Sequence, residues 1–233
     1  MEAKNILHKL FIFSFLIVMF IILYYLNIRK LRMFHENYIS YTNFKTHGDS
    51  LIILDNFYDK KDFSEIIDFL KSKSNNIQFK NDLRLSSRKT ICFKNRSYPL
   101  YSMIYNNKLK GYINNLCGKI PVKPSFPIEY RIYPQGSSGM NWHSDTALYH
   151  GEYYEAVLTL ENESDSKFDY KYNNQINTIK TKPNTLVLVK PNTIEHQVTP
   201  INQGYRTILK FVIVFNDNKE NENFISSYNT CPN

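Results

Sequence analysis

Short runs rich in β-branched and aromatic residues, each closed by turn residues, fill the chain from Phe126 onward. They predict strands at Ile128–Tyr133, Tyr153–Leu160, Lys167–Tyr172, Ile176–Thr181, Thr185–Val189, Glu195–Val198 and Tyr205–Phe215. Many short strands at this spacing predict a sandwich or barrel. The earlier half has another period. Leu51–Leu54 is a brief apolar run, read as a strand. Phe63, Ile66, Ile67 and Leu70 fall at i, i+3, i+4 and i+7, one apolar stripe of a helix, with Asp59 as its N-cap and Asp62 in its first turn. Leu109, Tyr112, Ile113 and Leu116 make a second stripe, which Gly118 ends. Pro121, Pro124 and Pro127 then exclude helix, and residues 73–96 carry no clear period. Helices that precede a block of strands predict an α+β domain with the helices packed on one sheet.

The N-terminus has a third texture. Leu10 to Leu26 is apolar apart from Ser14, carries Tyr24 and Tyr25 at one end, and is bracketed by Lys4, Lys9, Arg29, Lys30 and Arg32. At 1.5 Å per residue this run is at the lower limit of a membrane span, and Ile6, Leu7 and Ile28 extend it. No small-residue cleavage site follows it, so a retained single transmembrane helix is the expectation. The chain then divides into an anchor with basic flanks at 1–33, a linker at 34–50, a folded domain at 51–215 and a polar C-terminal tail at 216–233. Positive flanks of nearly equal strength leave the side of the membrane open, endomembrane lumen or cytosol.

Charge looks different once the anchor is set aside. The chain is +8, but residues 1–33 hold five Lys/Arg and one Glu, half of that excess. The mild excess left over 200 residues, with a membrane segment, argues against a nucleic-acid partner. Cys92, Cys117 and Cys231 are odd in number and lack zinc-site spacing. A reducing compartment fits them, with one disulfide and one free thiol as the alternative. Asn95-Arg96-Ser97 and Asn162-Glu163-Ser164 match the glycosylation pattern, which arises readily by chance in an Asn-rich chain.

The chemistry concentrates in His143-Ser144-Asp145, His196 and Arg206. Two imidazoles and a carboxylate can occupy one face of an octahedral iron, the ligand type of non-haem Fe(II) oxygenases. Residues i and i+2 of a strand share a face, so His143 and Asp145 can aim at one metal. A second such triplet, His47-Gly48-Asp49, precedes the strand block and is read as surface loop. Along the last long strand Arg206, Ile208 and Lys210 share a face, opposite Thr207 and Leu209. A cation among apolar neighbours is costly to bury without an anion, and the planar fork of Arg206 suits a carboxylate. Lys210 is the weaker anion-binding alternative. Trp142 should point away from the metal into core, His150 is read as a loop residue, and Ser137, Ser138 and Gly139 form either a lid or a plain connection.

Residues 126–215 resemble the double-stranded β-helix, or jelly-roll, core of the 2-oxoglutarate/Fe(II)-dependent dioxygenases, nearest the prolyl 4-hydroxylase-like group. The likeness rests on Tyr133-Pro134-Gln135-Gly136 through Trp142-His143-Ser144-Asp145, on Ile194-Glu195-His196-Gln197-Val198-Thr199-Pro200, and on Gly204-Tyr205-Arg206. Leu51-Ile52-Ile53-Leu54-Asp55 and the helix after it resemble the group's opening elements. The resemblance implies that His143, Asp145 and His196 hold Fe(II). It implies 2-oxoglutarate as co-substrate, with Arg206 on its distal carboxylate and Tyr133 either hydrogen-bonding to it or serving as a core tyrosine on the barrel wall. No catalytic side chain beyond the metal ligands is implied, and ascorbate is an optional reductant. The expected protein is a membrane-anchored hydroxylase of a protein or peptide side chain, converting 2-oxoglutarate and O2 to succinate and CO2. The alternatives are the same chemistry on a lipid or small molecule, or a jelly-roll binding module without turnover.

Overall fold

Residues 16–26, 44–48, 50–74, 80–81 and 88–231 are described by the structure, a computed structural model. The chain separates into two units, Met1–Thr42 and Asn43–Asn233. In the first, residues 16–26 form helix α1, exposed along its length. Among the described residues no helix is long and apolar enough to cross a membrane. The start of the predicted span, Leu10–Phe15, and all five basic flanking residues lie outside the described residues.

The second unit opens with β1 (Phe44–His47), β2 (Leu51–Leu54), α2 (Lys60–Ser74), β3 (Lys80–Asn81), β4 (Lys89–Phe93), α3 (Pro99–Ile104) and α4 (Asn107–Cys117). The strand block follows as β5 (Ile128–Tyr133), β6 (Met140–His143), β7 (Tyr149–His150), β8 (Tyr154–Asn162), β9 (Phe168–Tyr172), β10 (Gln175–Ile179), β11 (Leu186–Val189), β12 (His196–Val198), β13 (Arg206–Ile213) and β14 (Lys219–Glu220), and α5 (Glu222–Asn229) closes the chain. The large antiparallel sheet has the order β1-β2-β11-β8-β13-β5-β4-β3, the small one β10-β9-β12-β6, and β14 pairs with β7.

The sheets bury a common apolar layer, because alternate residues of each strand face inward. Leu51 and Ile53 of β2, Val187 and Val189 of β11, and Phe168 and Tyr170 of β9 meet there. The other face of the large sheet carries helices. Tyr105, just past α3, stacks edge-on against Phe211 and donates its hydroxyl to Val212 O at 2.6 Å. Tyr58 reaches Ile104 O at 2.8 Å, and Tyr101 reaches Phe93 O at 2.7 Å. Each tyrosine buries a ring and satisfies its hydroxyl, which would otherwise oppose burial. The expected α+β arrangement, helices on one sheet of an antiparallel jelly roll, is the observed one.

Helix α2 forms where its stripe predicts it, with Ile66 and Leu70 buried. Asp59 accepts Phe63 N–H through its backbone carbonyl, but its carboxylate turns to Lys108 Nζ at 2.6 Å and does not cap the helix. Asn106 caps α4 by accepting Leu109 N–H, and Gly118 ends it at φ 71°.

Five expectations are corrected. The linker at 34–50 contains β1, paired with β2 in register Phe44↔Leu54, so His47 belongs to a strand and only Asp49 of that triplet lies outside the described residues. The polar tail is not a tail: Asn221 caps α5, Phe224 of that helix is buried, and Cys231 forms a disulfide with Cys92. The fold therefore runs past residue 215. The cysteines accordingly follow the alternative, one disulfide with Cys117 free. Trp142 is half-buried under Lys171, whose ammonium lies 4.9 Å from the ring centroid, and is not packed in the core. His150 is exposed in the short β7.

Candidate metal centre

Strand β12 places His196 directly opposite His143 of β6, and the two imidazole centroids lie 4.4 Å apart. Asp145 follows two residues after His143, past the end of β6, and its backbone carbonyl accepts Asn192 N–H at 3.0 Å. His143 and Asp145 thus turn toward one point, although only His143 is in the strand. His196 Nε2 is 3.6 Å from Asp145 Oδ2, and His143 Nε2 is 4.0 Å from Oδ1. One ligand atom from each of the three residues lies within 4.8 Å of the others.

Proton placement follows from the neighbours. His143 Nδ1 lies 2.7 Å from Asn141 O and His196 Nδ1 lies 3.3 Å from Ile194 O. A carbonyl oxygen only accepts, so each Nδ1 carries the proton and each Nε2 presents its lone pair to the shared point. His143 Nε2 is buried and has no hydrogen-bond partner. Burial holds His196 below the usual imidazole range, against the pull of Asp145, which favours the neutral ligand form. Burial would raise Asp145, but Lys210 and the two imidazoles outweigh it and hold the carboxyl below its usual range. A buried, unpartnered lone pair beside a second one and an ionised carboxylate fits a divalent cation.

The centre opens on a narrow cavity, partly open to solvent. Arg206, Ile208 and Lys210 all line it, as the parity of β13 predicts. Arg206 is 6 % exposed, its Nε has no hydrogen-bond partner, and among the described residues no carboxylate pairs with it. Burial accordingly pushes its guanidinium below the usual range. Tyr133 faces it across the sheet in register and lines the same cavity. Burial alone would raise the phenol, but Arg131, Arg88 and Arg206 outweigh it and hold it below its usual range. Tyr133 is therefore a wall of the cavity at an electropositive end.

Lys210 is not a free anion site. Its ammonium lies 2.6 Å from Glu155 Oε2 and 3.9 Å from Asp145 Oδ1, and these carboxylates hold it above its usual range despite burial. Burial in turn raises Glu155 to about 7. Arg131 is likewise paired, with Glu129 at 2.6 Å. Glu129, Arg131 and Glu155 were not singled out from the sequence. Glu129 and Arg131 share the parity of Tyr133 on one strand, which was the available signal. Arg88, 5.9 Å from the Tyr133 ring centroid, sits where the sequence has no clear period.

The loop before β6 is held rather than loose. Gly136 N–H donates to Ile201 O at 2.8 Å, Ile201 N–H donates to Ser137 O at 2.9 Å, and the Ser137 hydroxyl reaches Pro134 O. Gly139 has φ 73°, and a Cβ there would lie 2.3 Å from Val198 O. These contacts favour a plain connection over a lid at Ser137, Ser138 and Gly139. A second gathering of ligand-type atoms, Cys92, Glu129 and Cys231, is not a metal set, because its sulfurs are bonded to each other and Glu129 holds Arg131.

By sequence, no family model and no curated protein matches the chain. By structure it is similar to a Trichoplax adhaerens prolyl hydroxylase in complex with a hypoxia inducible factor oxygen degradation domain peptide fragment, at TM-score 0.58 and 14% identity over 73% of this chain and 85% of that one. It is also similar to a Pseudomonas putida prolyl-4-hydroxylase, at TM-score 0.56 and 14% identity over 73% and 93%. SnoN, a non-heme alpha ketoglutarate dependent epimerase from nogalamycin biosynthesis, superposes at TM-score 0.64 and 10% identity over 79% and 83%. The fold of this chain is thus the one these prolyl hydroxylases and 2-oxoglutarate oxygenases share.

Proposed function

We propose that this chain is an Fe(II)- and 2-oxoglutarate-dependent dioxygenase that hydroxylates a protein or peptide side chain. One observation carries the reading: a two-histidine, one-carboxylate cluster and an arginine without an ion partner line the same cavity. His143, Asp145 and His196 would hold the iron, and their own hydrogen bonds fix the imidazoles before metal arrives. Arg206, beside Tyr133, would take the distal carboxylate of 2-oxoglutarate, which supplies the anion the buried guanidinium lacks. Iron with its co-substrate, when bound, supplies the activation of O2, the decarboxylation and the oxidation of an unactivated C–H bond. The protein's share is orientation and exclusion of water. Val157, Val187, Val189, Val198 and Ile208 wall the cavity with apolar surface. Lys210 braces Asp145 from the side of Glu155.

The peptide bound to the Trichoplax enzyme supports a protein or peptide substrate. The fit to SnoN supports a second reading, the same chemistry on a small molecule. The apolar run from Leu10 to Leu26, with its basic flanks, supports a single-pass membrane anchor. The test is succinate formation by the full chain from 2-oxoglutarate with Fe(II) and ascorbate, wild type against His143→Ala. Turnover that rises with a prolyl peptide and vanishes in the variant is expected. Turnover equal in both proteins would reject the centre, and stimulation by small molecules alone would move the substrate to the second reading.

A further inference from the structure

Asn-x-Ser tripeptides are common by chance in an Asn-rich chain, and this one has two. The structure separates them sharply. Asn162 is spent inside the fold: its Nδ2 donates to Thr181 O at 2.8 Å, and its Oδ1 accepts both the backbone N–H and the hydroxyl of Ser164, which is 1 % exposed. Asn95, Arg96 and Ser97 are all exposed, in the turn between β4 and α3, and none of them lines the cavity. Asn95 Oδ1 accepts Ser97 N–H at 2.9 Å, and Asn95 O accepts Tyr98 N–H at 3.1 Å. This turn folds the third residue of the tripeptide back onto the amide and polarises its carbonyl. It leaves Nδ2 without a partner among the described residues.

A separate feature points to the same setting. Cys92 is three residues before Asn95, and it is bonded to Cys231 across 139 residues of chain with their Cα atoms 6.0 Å apart. Cys231 is 3 % exposed and lies just after α5, so the bridge fastens the C-terminal helix to β4. A disulfide used structurally, inside the fold and across most of a domain, persists in an oxidising compartment and is reduced in the cytosol.

We propose that Asn95 is an N-glycan acceptor on a domain that folds in an oxidising, glycosylating compartment, with Cys92 and Cys231 bridged. The two thiols surrender two protons and two electrons to an exchanging disulfide oxidant, which leaves as a dithiol. At Asn95 the amide Nδ2 bonds to the anomeric carbon of a lipid-diphosphate-linked oligosaccharide. The carbon–oxygen bond to the diphosphate breaks, the lipid diphosphate departs with that electron pair, and the amide proton passes to a base of the transferase. Modification of Asn162 would remove its bond to Thr181 and is incompatible with the fold. The proposal stands independently of the chemistry assigned to the metal centre.

The full chain, translated with endoplasmic-reticulum microsomes, tests it. One endoglycosidase-sensitive glycan per chain is expected, lost in Asn95→Gln and kept in Asn162→Gln. Alkylation without reduction should label Cys117 alone, and after reduction all three cysteines. A chain without a glycan, or with its glycan on Asn162 only, overturns the acceptor assignment. Three cysteines labelled without reduction overturn the compartment, whatever the glycan.

Discussion

Arg206 and Lys210 share one face of β13 and behave oppositely, because one has a carboxylate and the other has none. Removing an unpaired buried cation relieves a desolvation cost, so Arg206→Met should raise the stability of the metal-free protein by about 1–2 kcal/mol, read from urea unfolding. The same variant should weaken 2-oxoglutarate binding by roughly 3 kcal/mol, about a hundredfold, in a titration of the metal-loaded protein. Lys210→Met leaves Glu155 buried and without its cation, and should destabilise the fold by about 3–5 kcal/mol. Adding Glu155→Gln should return part of that loss; no recovery in the double variant would contradict the pairing. The gathering of His143, Asp145 and His196 and the cavity-facing side of Arg206 were legible in sequence because their spacing and strand parity carry the signal. The partners of Lys210 and Arg131 were not. An ion pair across or along a sheet depends on register, and register is set by strand order that no local pattern states.

Elements were legible where period and turn chemistry agreed. Every strand predicted between Ile128 and Phe215 is present, with ends shifted by a few residues. The unpredicted ones were short or depended on remote partners: β1 exists by pairing with β2, β7 with β14, and the six-residue α3 begins on Pro99, whose fixed φ suits a first turn. Asn184 shows how such remote joins are made. At φ 64° it accepts Tyr58 N–H with Oδ1 and donates Nδ2 to Tyr58 O, while its backbone bonds to Thr159 and Phe57. Asn184→Ala strands two buried backbone groups and should cost roughly 3 kcal/mol, measured as a shift in the unfolding midpoint at unchanged slope. A loss below about 0.5 kcal/mol, the range of surface substitutions, would mean the segment after β2 is held otherwise.

Across the whole molecule, the jelly roll brings together His143 and His196 of the small sheet, 53 positions apart in sequence, while the Cys92–Cys231 bridge ties the C-terminal end of the chain to β4 of the large sheet. Closing so long a loop should contribute about 4–5 kcal/mol on the chain-entropy account, so Cys92→Ser or reduction should lower stability by up to that amount in denaturant titrations. The bridge was not legible, because three cysteines of unremarkable spacing leave their pairing open until the fold sets Cα distances. On the proposed function, one cavity takes iron at one end and the distal carboxylate of a keto acid at the other. Anaerobic titration of the Fe(II)-loaded full chain with 2-oxoglutarate tests it most directly, through the visible charge-transfer absorption of a keto acid chelated to ferrous iron. A band that saturates in the wild type, is absent in His143→Ala and needs roughly a hundredfold more 2-oxoglutarate in Arg206→Met is the expected result. No band in the wild type, or the same band in His143→Ala, would contradict it.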